Sequence, residues 1–274
     1  EAKRRADELK DGDRVLCWIR GKYDGGAIPL RFFLAPYRVI SDTYGVFVYD
    51  ADAGYARGYE PSLDFKFHGW RNGVMVMKHK DGTLYSCLSG VAFAGPKKGE
   101  RLKPIPTMMS DWGSWLKQYP GGVAYHMYGK YKPMELPTTI SAGSKNSRGP
   151  LDERLPADAP VLGITSGKDA RAYPLERLEK LGPCGVAADR VGERDCVIFW
   201  DKATRTAVVF RPVARPAKKD AGKPRTLTLV AAEPVVAGAP FIDKETKSHW
   251  DITGRAVEGE LKGWTLDWLD SVQV

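Results

Sequence analysis

The chain has 274 residues, with 42 Lys+Arg against 34 Asp+Glu for a formal charge of +8, and it is 43% hydrophobic and 28% charged. That length suits two domains of roughly 100–150 residues, and that composition excludes a disordered or collagen-like chain. No apolar run approaches the ~20 residues a membrane-spanning helix requires, so no transmembrane segment is expected.

In chain order, residues 1–10 are expected to form a helix. The apolar run Val15-Leu16-Cys17-Trp18-Ile19 buries Cys17 as a small hydrophobe. The β-branched and aromatic run 46–49 predicts a strand. An Asn72-Gly73 turn leads into a short buried strand, Val74-Met75-Val76-Met77, and Lys80-Asp81-Gly82-Thr83 turns the chain into the next one. Residues 110–118 predict a helix capped by Ser110, with Trp112, Trp115 and Leu116 toward a core. Residues 133–160 hold five Pro and a polar Ser/Gly/Lys/Asn run, the composition of a linker. Pro174 is tolerated in the first turn of a helix over 174–180. Strands are expected at 197–200 and 208–210, and Thr226-Leu227-Thr228-Leu229-Val230 alternates as a half-buried strand does. Many short strands and few short helices give an α+β, predominantly β, fold class.

The chain also repeats itself. Val46-Phe47-Val48-Tyr49-Asp50 matches Val197-Ile198-Phe199-Trp200-Asp201, and the register runs on without a gap to Pro61 and Pro212. Upstream, Ala27-Ile28-Pro29-Leu30 resembles Ala172-Tyr173-Pro174-Leu175. Downstream, the stretch from Gly90 to Leu102 resembles that from Gly254 to Leu266. Three blocks in one order, roughly 145–165 residues apart, predict two similar β-rich domains from an internal duplication. The first repeat is 1–132, the linker 133–160, and the second repeat 161–274. The second repeat is expected to be truncated, without a counterpart of the tryptophan helix.

Four Cys with no CxxC pair are too few for a disulfide scaffold, although Cys184 and Cys196 could close a loop in an oxidising compartment. His68, His79 and Cys87 fall close together in sequence. Imidazole plus thiolate suits copper or zinc, with Asp50 as an oxygen ligand. The same three residues serve equally as a hydrogen-bonded strand start, a solvated turn and a core thiol. Asp50, Asp52, Asp201 and Asp243 suit either a hard cation or tight turns. His249 and Asp251 alternate onto one strand face, as an acid–base pair or a structural hydrogen bond. Trp70, beside a turn, offers an aromatic binding platform. The basic segment 215–225 has no interleaved aromatics, so it reads as a solvated loop and nucleic acid is disfavoured. No nucleophile elbow, Walker loop or dinucleotide fingerprint is present, which disfavours nucleotide-dependent catalysis.

Val161-Leu162-Gly163-Ile164 with Ala170-Arg171-Ala172-Tyr173-Pro174-Leu175, Asp243-Lys244-Glu245-Thr246 with Ser248, and Gly254-Arg255-Ala256-Val257-Glu258-Gly259 resemble a bacterial family known only as domain of unknown function 3179. Trp112, Trp115 and Tyr119-Pro120 add to the likeness, which reads as the family seen twice, in the tandem form of planctomycete-type proteins. The resemblance implies a secreted or envelope-associated protein, periplasmic or extracellular, and brings no established activity. Where relatives carry a Cys after the central strand, this chain has Asp50 and Asp201. Cys87 stands where relatives more often have Gln, and Asp251 takes that place in the second half. The reading that follows is a non-enzymatic binding or assembly protein, acting on an envelope component or protein partner through Trp70, Asp50, Asp201, His249 and Asp251. The alternative is a copper- or zinc-dependent enzyme, or a metal-binding protein, using His68, His79 and Cys87.

Overall fold

The structure, a computed structural model, describes residues 9–20, 24–33, 38–125, 153–156, 158–217 and 222–274. The expected N-terminal helix, most of the linker and the centre of the basic segment 215–225 lie outside the described residues. The fold is β-rich with few helices. It divides into two compact units. The first takes the described residues up to Trp112, those from Gly121 to Ala159, and Val272–Val274; the second takes Gly113–Pro120 and Pro160–Ser271. Residues 113–120, which fall inside the expected first repeat, thus group with the second unit.

The first unit's strands are β1 (Arg14–Arg20), β2 (Asp24–Pro29), β3 (Val39–Ser41), β4 (Val46–Asp50), β5 (Tyr55–Tyr59), β6 (Phe65–Arg71), β7 (Val74–His79), β8 (Leu84–Ser86), β9 (Ala92–Ala94), β10 (Thr107–Asp111) and, after helix α1 (Trp112–Gln118), β11 (Val123–Ala124). They form sheets in the orders β10-β1-β2-β11, β3-β4-β5 and β6-β7-β8-β9. The β4–β5 hairpin explains the layering. All ten of its residues are buried, because a strand sends alternate side chains to opposite faces and here both faces are covered. Val46, Val48, Tyr55 and Tyr59 join Met75, Met77, Tyr85 and Cys87 in one core, against which Val272 and Val274 also pack. Phe47, Tyr49 and Ala56 join Leu16, Trp18, Ile28 and Phe33 in another. Burying each large apolar side chain is worth about 1.5–3 kcal/mol, so the hairpin anchors both layers.

The second unit contains β12 (Val161–Ser166), β13 (Asp169–Pro174), helix α2 (Leu175–Glu179), β14 (Cys184–Val191), β15 (Arg194–Asp201), β16 (Thr206–Arg215), β17 (Arg225–Thr226), β18 (Leu229–Ala231), β19 (Phe241–Asp243), β20 (His249–Trp250), β21 (Ala256–Glu258) and β22 (Thr265–Trp268). Its central sheet runs β14-β15-β16-β17, with β22 also paired to β16. Ile198, Trp200 and Val209 pack on Leu162, Ile164, Leu175 and Leu178. On the opposite face Phe199 stacks on Phe241, centroids 4.0 Å apart.

Two expected elements differ. Ser110 caps no helix: it lies in β10 opposite Val15, and α1 starts directly after that strand at Trp112. The alternating run 226–230 is split between β17 and β18. Leu227 N–H bonds the Pro212 carbonyl while Thr228 N–H turns to the Glu245 carboxylate, so the chain changes sheets where the pattern alone reads as continuous.

Internal geometry recurs between the units. Val46 opposes Tyr59 and Asp50 opposes Tyr55 in one hairpin; Val197 opposes Phe210 and Asp201 opposes Thr206 in the other. The amides of Lys98, Gly99 and Leu102 bond the carbonyls of Gly95, Ala92 and Gly90, and those of Lys262, Gly263 and Leu266 bond Gly259, Ala256 and Gly254. Gly90 and Gly254 are left-handed, with φ of 71° and 76°. An added Cβ would meet the Tyr59 ring in one unit and the Phe210 ring in the other, at 2.6 Å each time.

Candidate functional site

In the first unit, chemistry gathers where β4 ends. Asp50 Oδ1 accepts from the Asp52 and Ala53 amides, at 3.1 and 3.3 Å, and so closes the turn into β5. The residue is fully buried, yet Oδ2 has no partner among the described residues. Burial pushes this carboxyl up from its ordinary value, against the pull of the two turn amides and, more weakly, of Arg38. Tyr55 lies directly opposite with its hydroxyl buried beside the Met75 backbone amide. Burial, then the neighbouring Cys87 and Asp50, raise its phenol. Cys87 donates its N–H to the Met75 carbonyl at 2.9 Å, and its carbonyl accepts from the Tyr59 hydroxyl at 2.7 Å. Burial lifts its thiol far above the usual range and Asp50 adds to that, so the sulfur stays protonated and unreactive. Trp70 opposes Met75 on β6, edge-on to Phe67 at 4.8 Å and under the Arg38 guanidinium at 4.9 Å.

The predicted copper or zinc ligands are not brought together. His68 is exposed beside the bulge between Phe67 and Gly69. His79 Nδ1 meets Asp81 Oδ1 at 3.0 Å at the far end of β7, where the Thr83 amide and hydroxyl hold the Asp81 carboxyl well below its usual range. Cys87 bonds across to Met75, four residues along β7 from His79, which is ~13 Å of strand. Among the described residues no group of three or more His, Cys, Asp or Glu is placed to hold a metal ion.

In the second unit the singled-out carboxylates are engaged in structure. Asp201 Oδ1 accepts from the Ala203 and Thr204 amides, the same turn as at Asp50. Asp243 accepts from the Thr246 amide and hydroxyl, the Ser248 amide and the Trp250 indole. Asp251, fully buried, accepts from the Thr253 amide and hydroxyl and from Arg255 N and Nε. Burial raises its carboxyl and those donors oppose the rise. Arg255 lies over the Tyr119 ring at 5.0 Å, and the Tyr119 hydroxyl meets Thr253 Oγ1 at 2.9 Å, which ties α1 to this network. His249 Nδ1 is buried without a partner among the described residues, and the Asp251 oxygens turn to Thr253 and Arg255 instead.

Sequence reasoning missed two features. Asp189 accepts from Arg171 at 2.6 and 2.7 Å and from the Tyr173 hydroxyl at 2.7 Å, which together with the Arg190 amide hold its carboxyl down to about 2. The second feature is an open cleft of about 480 Å³ in the second unit, lined among others by Lys117, Gln118, Cys184, Asp201, Val236 and Ile252. Burial and then Asp201 push the Cys184 thiol up to about 11. All four thiols are free. The Cys184–Cys196 bridge that an oxidising compartment would allow does not form, because Cys184 opposes Asp201, which stands five residues along β15 from Cys196, ~17 Å of strand.

A β-rich protein of two compact units, with turn-forming aspartates at matching hairpins, is the class that fold and site define. The chain belongs to the family described as protein of unknown function DUF3179, whose model matches residues 47–274 in a single span reaching both units. Comparison with curated proteins and with solved structures returned no match.

Proposed function

We propose that this is a secreted or cell-envelope binding or assembly protein without catalysis of its own, built by duplication of one β-rich domain, and that it binds through the cleft in the second unit. The observation that carries the reading is the cleft itself. It sets Lys117, Gln118 and Asp201 around walls that include Val236 and Ile252, and its size falls within the range of ligand pockets. Gln118 Oε1 is buried there without a partner among the described residues, and Lys117 and Lys202 add positive charge at the rim. That combination suits a ligand with an apolar body and an anionic head, as a component or partner at the cell envelope would present. The Asp50, Asp201, Asp243 and Asp251 carboxylates bond turns and neighbouring side chains, which favours binding over acid–base chemistry. The duplication is supported by the recurring register and hydrogen bonds of the two hairpin regions. The extracytoplasmic placement follows from the resemblance to envelope-associated relatives, and fractionation of the native host checks it.

The test uses 1-anilinonaphthalene-8-sulfonate, an apolar anion, as probe. Saturable binding to the folded protein that is lost in Ala237→Trp, which fills the cleft, and weakened in Lys117→Glu is the expected result. Absence of saturable binding, or binding untouched by Ala237→Trp, sinks the reading. Circular dichroism of each variant confirms that the fold persists.

A further inference from the structure

The outer face of the β6-β7-β8-β9 sheet carries charges that a ladder of this kind does not need. Phe65, Met75, Met77 and Tyr85 point into the core, so alternate residues of the same strands face away from it. On that outer face Lys66 and Lys78 are direct cross-strand partners, and both are exposed. Opposed Cβ atoms in an antiparallel pair stand roughly 5 Å apart, and like charges so placed destabilise it. Neither ammonium has an ion-pair partner among the described residues. The carboxylates at this end are taken by other cations. Asp64, whose charge reaches Lys66, bonds Lys80 at 2.5 Å, and Asp81 meets His79 at 3.0 Å and Lys97 at 3.5 Å. Glu100 lies beyond β9, across the sheet from β6, where its carbonyl accepts from the Ala92 amide.

The second unit shows what the same ladder holds without them. There β18 and β19 pair Leu229 with Asp243 and Val230 with Ile242, as β6 and β7 pair Phe65 with His79 and Lys66 with Lys78. The next partner across is His249 in one sheet and Leu84 in the other. An added Cβ on Gly95 would meet Thr83, and one on Gly259 would meet Ser248, each at 2.6 Å, so the two sheets correspond past their third strands as well. The position of the opposed lysines is thus filled in the second unit by two half-buried aliphatic side chains, a pairing that favours the ladder instead of straining it. Beyond the lysines the face runs low. Gly69, opposite Val76, has nothing within 4 Å of where a Cβ would stand. Arg71, opposite Val74, ends the strip four β7 residues from Lys78, ~13 Å of strand, with its guanidinium 4.4 Å from the Phe93 ring centroid. Positive charge therefore stands at both ends of a shallow strip. Among the described residues no exposed large apolar side chain lies on β6, β7, β8 or β9, so the face has neither the inserts of a membrane-docking surface nor open rings for stacking bases.

We propose that this face binds a linear polymer of phosphate groups, one phosphate shared by Lys66 and Lys78 and another met by Arg71. Calorimetric titration of the full chain with inorganic polyphosphate, at several salt concentrations, tests it. Lys66→Gln with Lys78→Gln should bind about tenfold more weakly, with a slope of log K against log salt smaller by about two. Lys244→Gln with Lys262→Gln removes the same charge from exposed positions of the second unit and should lose about threefold at most. The unfolding midpoint of the Lys66 and Lys78 variant should equal or exceed the native one, because a repulsion is removed. Absence of saturable binding, equal losses in the two double variants, or a lower midpoint in the first overturns the proposal. So does tighter binding, at equal phosphate, to single-stranded DNA or to phosphatidylglycerol vesicles than to polyphosphate.

Discussion

At the end of the first hairpin a fully buried Asp50 faces Tyr55, and one carboxylate oxygen has no partner among the described residues. At the matching end of the second, a half-buried Asp201 faces Thr206, whose hydroxyl is already bonded to Thr204. Cys87, an inert core thiol in the first unit, has Asp251 as its sequence counterpart, and that carboxylate organises Thr253, Arg255 and, through them, Tyr119. Two hairpins of matching register therefore border two kinds of interior. The turn needs only one oxygen of its aspartate, and the layer packed over the hairpin decides what becomes of the other.

Asp251→Ala should break this contrast most severely. It removes four hydrogen-bond acceptances and strands Arg255, a loss of about 3–4 kcal/mol by the usual cost of breaking a buried charged pair. Urea unfolding followed by tryptophan fluorescence measures it, and a loss below about 1 kcal/mol would mean the network is not what closes the second unit.

Where the two units agree, they should fail alike. Gly90→Ala and Gly254→Ala each force a Cβ against an aromatic ring at 2.6 Å from a left-handed backbone. Each should cost about 2–4 kcal/mol from strain and overpacking. Markedly unequal losses in the same urea experiment would count against equivalent roles for the two glycines.

The smallest effects concern pH. The Asp50 carboxyl is raised in the fold, so its contribution is complete below the ordinary carboxylate value and is lost as pH rises through the folded one. Asp189, held down to about 2, contributes above the ordinary value, and that stability is lost as pH falls toward 2. Asp50→Asn should therefore flatten the decline on the rising side and Asp189→Asn the decline on the acid side. Urea midpoints between about pH 2 and 7 compare them. Identical profiles for the two variants would contradict the opposite shifts.

Local structure was legible wherever a short-range rule governs it. The Asn72-Gly73 turn, the strands at 46–49 and 197–200 and the helix after Pro174 follow from turn chemistry and β-branched or aromatic runs. Sheet changes were not, because the split at Leu227–Thr228 depends on Pro212 and Glu245, partners distant in sequence. Asp50 and Asp201 were recognisable as turn formers. Tyr55 was not recognisable as a partner of Asp50, since a Tyr in an alternating strand reads as core until the register is known. The cleft was invisible for a related reason: Lys117 and Gln118 come from a helix far in sequence from Cys184, Asp201 and Ile252.

The grouping of residues 113–120 with the second unit, and of Val272–Val274 with the first, has a consequence for the order of events on the ribosome. A chain made at about 5–20 residues per second usually folds its N-terminal domain while the rest is still being built. Here the tryptophan helix is made early and must wait tens of residues for the sheets it joins, while the first unit lacks three of its residues until position 274 has been synthesised. Each unit draws residues from both halves of the chain, so cutting the gene between residues 132 and 161 should yield two incomplete pieces rather than two domains.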